Sequence, residues 1–167
     1  MPRTYEPIAS QTLGTASASV EFTSISGSFT DLVLVMYATT TADDTNGRLT
    51  FNSTGGTSYS HTNLEGTGSA ASSGRGSNLE SIRFTNNTGF DDTNPSVSIF
   101  QIMSYANTNV FKTVLHSSAD FNSTYPGVTR RVGLFRSTSA ITSVKVETTG
   151  STFKSGSTFS LYGIKAA

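Results

Sequence analysis

Two histidines, eleven carboxylates and no cysteine are the reactive side chains of this chain. Nucleophilic catalysis needs a Ser, Thr or Cys beside a base, and the base is usually oriented by an acid. The bases on offer are His61 and His116, and Ser is so common here that one falls near each without any selection for it. No Gly-x-Ser-x-Gly elbow is present and no Gly-rich loop opens a helix, so acyl-transfer and phosphate-cradle chemistry lack their usual frames. The histidines read as ordinary strand or surface residues, and no catalytic residue is assigned. With no thiol there is no disulfide and no thiolate metal site.

Glycosidic chemistry needs two carboxylates about 5 to 10 Å apart. The candidates are Asp31, Asp43, Asp44, Glu65, Glu80, Asp91, Asp92, Asp120 and Glu147, most of them in loops or at strand ends, where solvation and turn capping explain them. Asp31, heading an apolar run, reads as a turn cap. The sharpest local feature is a repeated tetrapeptide, Asp43-Asp44-Thr45-Asn46 and Asp91-Asp92-Thr93-Asn94. Its carboxylate and amide oxygens suit Ca²⁺, which takes six to eight oxygen ligands. Neither copy has the spaced acidic ladder of an EF-hand, and Asx-rich turns are the ordinary way to leave a strand. Turn chemistry is therefore the expectation, with no metal and no cofactor assigned.

Other motifs carry less. Three glycosylation sequons, beginning at Asn52, Asn86 and Asn122, fit a chain rich in Asn, Ser and Thr and lacking a secretory leader. Tyr59, Phe121 and Tyr125 could stack on sugars, while Phe121 to Tyr125 reads better as an apolar tether holding down a loop. Arg130-Arg131 is too short for a basic patch.

The elements that must position these residues are strands. No window keeps apolar residues at helical spacing, whereas short alternating runs recur between Gly, Asn, Asp and Ser clusters. The predicted strands are 20–23, 31–37, 48–52, 58–61, 81–85, 97–105, 111–116, 132–136, 141–147 and 158–164. Residues 31–37 are apolar on both faces, which predicts a covered central strand. Asn46-Gly47 predicts a tight turn, and Gly55-Gly56 a turn continuing a meander. Asn107-Thr108-Asn109 predicts a hairpin between the runs flanking it. The Ser/Gly/Ala-rich stretch 66–78 predicts a long exposed loop, and 86–95 a second one. Met1 to Ala9 predicts an extended arm, kept out of regular structure by Pro2 and Pro7. The rest, 10–167, predicts one antiparallel β-sandwich of jelly-roll type.

Composition bounds the function classes. The 167 residues fit a single domain. Eleven basic and eleven acidic residues give zero formal net charge, which argues against a general nucleic-acid binder or a polybasic membrane-surface protein. The longest apolar run, Leu32 to Tyr37, is strand-sized, and the N-terminus has no apolar leader. The expectation is synthesis in a cytoplasm and no membrane partner.

Four groups of segments, in order, resemble a family of small virion structural proteins of tailed bacteriophages. They are Ile8 to Leu13 with Val20-Glu21-Phe22 and Phe29 to Val35; Leu49 to Asn52 with Tyr59-Ser60 and Ser72 to Arg75; Tyr105 to Asn109 with Lys112-Thr113; and Ile141 to Val144 with Phe153 to Ile164. The closing Gly-Ser-Thr-Phe-Ser-Leu-Tyr-Gly-Ile is the most specific piece. The resemblance implies a jelly-roll sandwich that decorates the capsid or sits in the tail, and it brings no catalytic residues. It implies a non-enzymatic cement protein on the outer capsid surface, a homo-oligomer with a trimer as the expected state, bridging copies of the major capsid protein. Contacts are expected through the arm and one sandwich edge. The alternative is a tail-fibre or receptor-binding module gripping host-surface glycan with segments 66–78 and 119–127.

Overall fold

A computed structural model describes residues 5–43, 45–85, 89–121 and 126–165. Its twelve strands, all antiparallel to their neighbours, form two sheets of unequal width. The wide sheet takes β1 (Tyr5–Thr12), β12 (Thr158–Ile164), β3 (Asp31–Ala38), β8 (Ser96–Met103), β9 (Lys112–Phe121), β10 (Pro126–Phe135), β5 (Tyr59–Gly66) and β6 (Ala71–Leu79), in that spatial order. The narrow sheet takes β2 (Ser19–Phe22), β11 (Val144–Thr149), β4 (Asn46–Phe51) and β7 (Ile82–Arg83). From β1 to β5 every step changes sheet, so the chain wraps around its own core. This is an antiparallel β-sandwich of jelly-roll type, as the alternation predicted.

The core is an aromatic chain between the sheets. Phe159 meets Phe153 edge to face, Phe153 meets Phe90, Phe90 meets Phe84, and Phe84 meets Phe100, with centroids 4.9–5.8 Å apart. Such tilted pairs add to the burial of the rings themselves. A second group stacks Tyr59 on Phe135 at 4.9 Å, while the Tyr59 hydroxyl accepts the Phe51 N–H at 2.9 Å. Where the narrow sheet ends, β7 sits directly on β10: a Cβ added at Gly133 would lie 2.6 Å from Ile82 Cδ1. Only glycine permits that approach.

Several sequence expectations are corrected. Tyr5 to Ala9 are not a free arm; they are the edge strand β1, paired with β12, and the sandwich starts at residue 5 instead of 10. Pro7 is accommodated because the register shifts between Pro7 and Ala9 at a sheet edge, where a missing N–H costs nothing. Met1 to Thr4 lie outside the described residues. Most of the predicted loop 66–78 is β6, hydrogen-bonded to β5. Small side chains bury little, but backbone pairing needs no side chain. Asn46-Gly47 belongs to β4 and is no turn; Gly47 is there because a Cβ would meet the Phe84 ring at 2.4 Å. The Gly55-Gly56 turn leads from the narrow sheet to the wide one, so no meander continues across it. The last narrow-sheet strand begins at Val144, not Ile141. Strand β3 is central, but its outer face has no second layer, and Tyr37 is half exposed there. The hairpin across 107–109 is present as β8 and β9.

Candidate functional site

Beyond β7 the wide sheet overhangs the narrow one by β5 and β6, and the inward face of that overhang is polar. Register places His61 opposite Gly133, Asn63 opposite Arg131 and Glu65 opposite Thr129. The next strand puts His116 opposite Arg131, Ser118 opposite Thr129 and Asp120 opposite Gly127. Period-two alternation therefore sends Glu65, Arg131, His116 and Asp120 to one face.

Arg131 is the centre. Its side chain is 2% exposed, and Nη2 donates to the Thr85 carbonyl at 3.2 Å and pairs with Glu65 at 3.4 Å. Burial pulls its pKa down to about 10, opposed by Glu65 and Asp120. Asp120 Oδ2 accepts from the Ser118 hydroxyl at 2.9 Å, and burial pushes its carboxyl up to about 6. His116 is buried, stacks on Phe100 at 4.5 Å and is driven down to about 3, first by burial and then by Arg131 and Arg130. His61 falls to about 4, again by burial first, then by Arg131 and Arg83. At neutral pH both imidazoles are uncharged and the arginines carry the positive charge.

The packing leaves several enclosed polar atoms without hydrogen-bond partners: Arg131 Nε and Nη1, both His116 nitrogens, Asp120 Oδ1, Ser98 Oγ and Thr129 Oγ1. Native interiors rarely leave so many together. Because neither His116 nitrogen meets a hydroxyl, no nucleophile–base pair is assembled on it. Toward solvent the cluster opens into two adjoining depressions of about 280 and 430 Å³ that share His61 and Arg83.

The repeated tetrapeptide forms a separate cluster. A bridge between Thr45 and Phe90 brings its two copies together, and carboxylate oxygens of Asp43, Asp91 and Asp92 lie within 4.8 Å of one another. Backbone donors already use them. Asp91 Oδ1 accepts the N–H groups of Thr93 and Asn94 at 2.7 and 2.6 Å, and Asp43 Oδ1 that of Asp92 at 2.8 Å. Asx-turn chemistry accounts for this geometry. Asp44 lies outside the described residues.

Of the other sequence candidates, Asp31 is the turn acceptor expected, taking the Ser104 N–H at 2.6 Å. Tyr59 is a core ring and offers no stacking platform. Glu80 and Glu147 line a shallow depression on the narrow sheet with Glu21, Arg48 and Lys145. Tyr125, the sequon positions 86–88 and 122–124, and the side chain of Phe121 lie outside the described residues. Sequence reasoning missed Arg131 and Arg83. The available signal was parity, since Arg131 shares its strand face with Phe135 and so had to point inward.

The outer face of the wide sheet is different in kind. Val128 sits opposite Ala119, Ala119 opposite Val97 and Val97 opposite Tyr37, an apolar row from β10 to β3, with Val132 opposite Leu115 and Ile99 opposite Val35 beside it. Leu64 extends it, and Leu64 and Val128 are 64% and 63% exposed. A groove of about 290 Å³ runs between Leu64, Leu115 and Val132.

No family model matches the chain, and no curated protein matches it. Among solved structures it is similar to the galectin LEC-6 of Caenorhabditis elegans, with 11% identity and a TM-score of 0.38 over 94% of this chain and 96% of that one.

Proposed function

We propose that this chain is a non-enzymatic structural tile of a tailed-phage particle, a capsid decoration protein that stiffens the head by bridging major capsid subunits as a homo-oligomer. The observation that carries the reading is the exposed apolar stripe on the outer face of the wide sheet, where Val128, Ala119, Val97 and Tyr37 form a row and Leu64, Val132, Leu115 and Ile99 crop out beside it, over five adjacent strands. Scattered apolar residues on a surface mean nothing, but a contiguous face marks a surface that is covered in the working assembly. Five strands at the usual spacing make a patch about 20 Å across. The resemblance of its ordered segments to the phage family supports reading that assembly as a phage particle. A particle repeats each contact many times, so weak individual contacts suffice.

Of the two contact surfaces the sequence suggested, the sandwich edge is kept and the arm is replaced. With Tyr5 to Thr12 committed to β1, the flat outer face and the edge of β6 take over from an arm. In the receptor-binding alternative, segment 66–78 would act largely as the paired strand β6 instead of as a loop, and residues 122–125 of its second segment lie outside the described residues. Reconstruction of the particle tests the reading. Density for this chain over joints between capsid subunits is expected, and density confined to the tail would end the decoration proposal.

A further inference from the structure

We propose that the cleft between β7 and the overhanging β5–β6 hairpin binds the acid group of a carboxylated saccharide. The site would function wherever the protein sits on a particle, because the cleft opens on the side of the wide sheet away from the apolar outer face.

The first argument is charge. Arg48, Arg83 and Arg131, three of the chain's seven arginines, line the two joined depressions, with Arg75 at the rim on the β6 position paired with the outward Thr62, against the carboxylates of Glu65 and Glu80. In a chain of zero net charge that concentration is local, and a cleft with an excess of one sign favours an oppositely charged ligand. Arginine is also the side chain whose planar fork matches a carboxylate.

A second argument is incomplete compensation. Arg131 is almost fully enclosed, yet among the described residues its ion pair is with Glu65 at 3.4 Å, and Nε and Nη1 have no hydrogen-bond partner. A buried cation so weakly matched gains from a further anion nearby.

Space is the third. The inward positions of β6 opposite the site are Gly74 and Gly76, facing Asn63 and His61. A Cβ at Gly74 would lie 3.2 Å from Asn63 Oδ1, and one at Gly76 would lie 3.4 Å from His61 Cε1 and 2.8 Å from Leu79. Side chains there would close the cleft from above. Its volume of a few hundred cubic ångströms suits a ring or two of sugar. The lining also includes short hydroxyls and amides, among them Asn63, Ser72, Asn78 and Ser81, which pair with ring hydroxyls, beside Leu79 and His61.

Nuclear magnetic resonance titration of the full chain tests this, with glucuronate, glucose, and inorganic sulfate or phosphate as probes. Glucuronate is expected to shift the resonances of His61, Asn63 and Gly74 and to raise the pH at which His61 titrates, since a bound anion favours the imidazolium. Glucose, and sulfate or phosphate alone, should each bind about tenfold more weakly. Arg83→Gln should weaken glucuronate about tenfold, and Gly74→Ala, at an exposed position of β6 whose Cβ would lie against Asn63, should weaken it by narrowing the cleft. Arg130→Gln, on the outer face, should change nothing. Absence of shifts, equal binding of glucose, equal binding of the inorganic anions, or an equal loss with Arg130→Gln would each overturn the proposal.

Discussion

The wide sheet has two regions built on the same backbone and the same alternation, and they differ in what lies above them. Under the narrow sheet, inward positions are Leu32, Leu34, Met36, Phe100, Phe159 and Leu161, all fully buried. Past β7, inward positions become His61, Asn63, Glu65, Gly74 and Gly76. Coverage decides the difference. A face sealed by a second layer gains by filling with aromatic and branched carbons, whereas a face at the rim, open to water, can hold charge. Arg131 and His116 lie on the boundary, where charge is held with few partners. The opposite surface of the same sheet shows a third outcome, apolar side chains with no second layer at all.

This contrast can be broken or sharpened by measurement. The largest effect is expected at the covered region. Phe100→Ala should destabilise by about 3–5 kcal/mol in urea unfolding, because the ring packs against Phe84 and His116 with no route for collapse. A loss below about 1 kcal/mol would show that this core is loosely packed.

The boundary should show itself in pH. Between about pH 6 and 4 the unfolded chain binds protons on both histidines that the folded chain, with His116 near 3 and His61 near 4, refuses. Asp120 acts in the opposite sense, since it takes its proton near 6 when folded and only near 3.8 when unfolded. Two uptakes against one leave the unfolded state ahead, so stability falls as pH drops through that window. With allowance for the partial exposure of His61, the slope is about 1 kcal/mol per unit. His116→Phe should flatten the acid limb, and an unchanged limb would locate the proton uptake elsewhere.

A smaller loss is expected in the Asp-rich turns. Asp91→Ala removes the acceptor of two backbone N–H groups and should cost about 1–3 kcal/mol, read as a lowered melting midpoint. Addition of a chelator to the wild type should leave that midpoint unchanged if turn chemistry is all these residues do.

Much of the architecture was legible because buried strands advertise themselves. β3, β8 and β12 alternate or run apolar, and each was found within a residue or two. β6 was not, because Ala-Ser-Ser-Gly-Arg-Gly-Ser carries no pattern and pairs through its backbone alone. β1 was hidden by Pro7, which an edge tolerates. The repeated Asp-Asp-Thr-Asn was visible as an oddity, but only the crossing between sheets shows that its two copies meet. The polar cleft was the least legible part. Its residues are spread from Arg48 to Arg131 and come together through register, so Arg130-Arg131 reads as a short surface pair until parity with Phe135 sends one side chain in and the other out.

The smallest change in stability is expected at the uncovered outer face, and it bears on the central claim, that this surface exists to be covered. Sedimentation of the purified chain should show an oligomer, and the double variant Leu64→Lys, Val132→Lys should sediment as a monomer with its unfolding free energy changed by less than about 0.5 kcal/mol. A wild type that stays monomeric at high concentration and, with the same two lysines, still occupies its place on assembled particles would contradict the account.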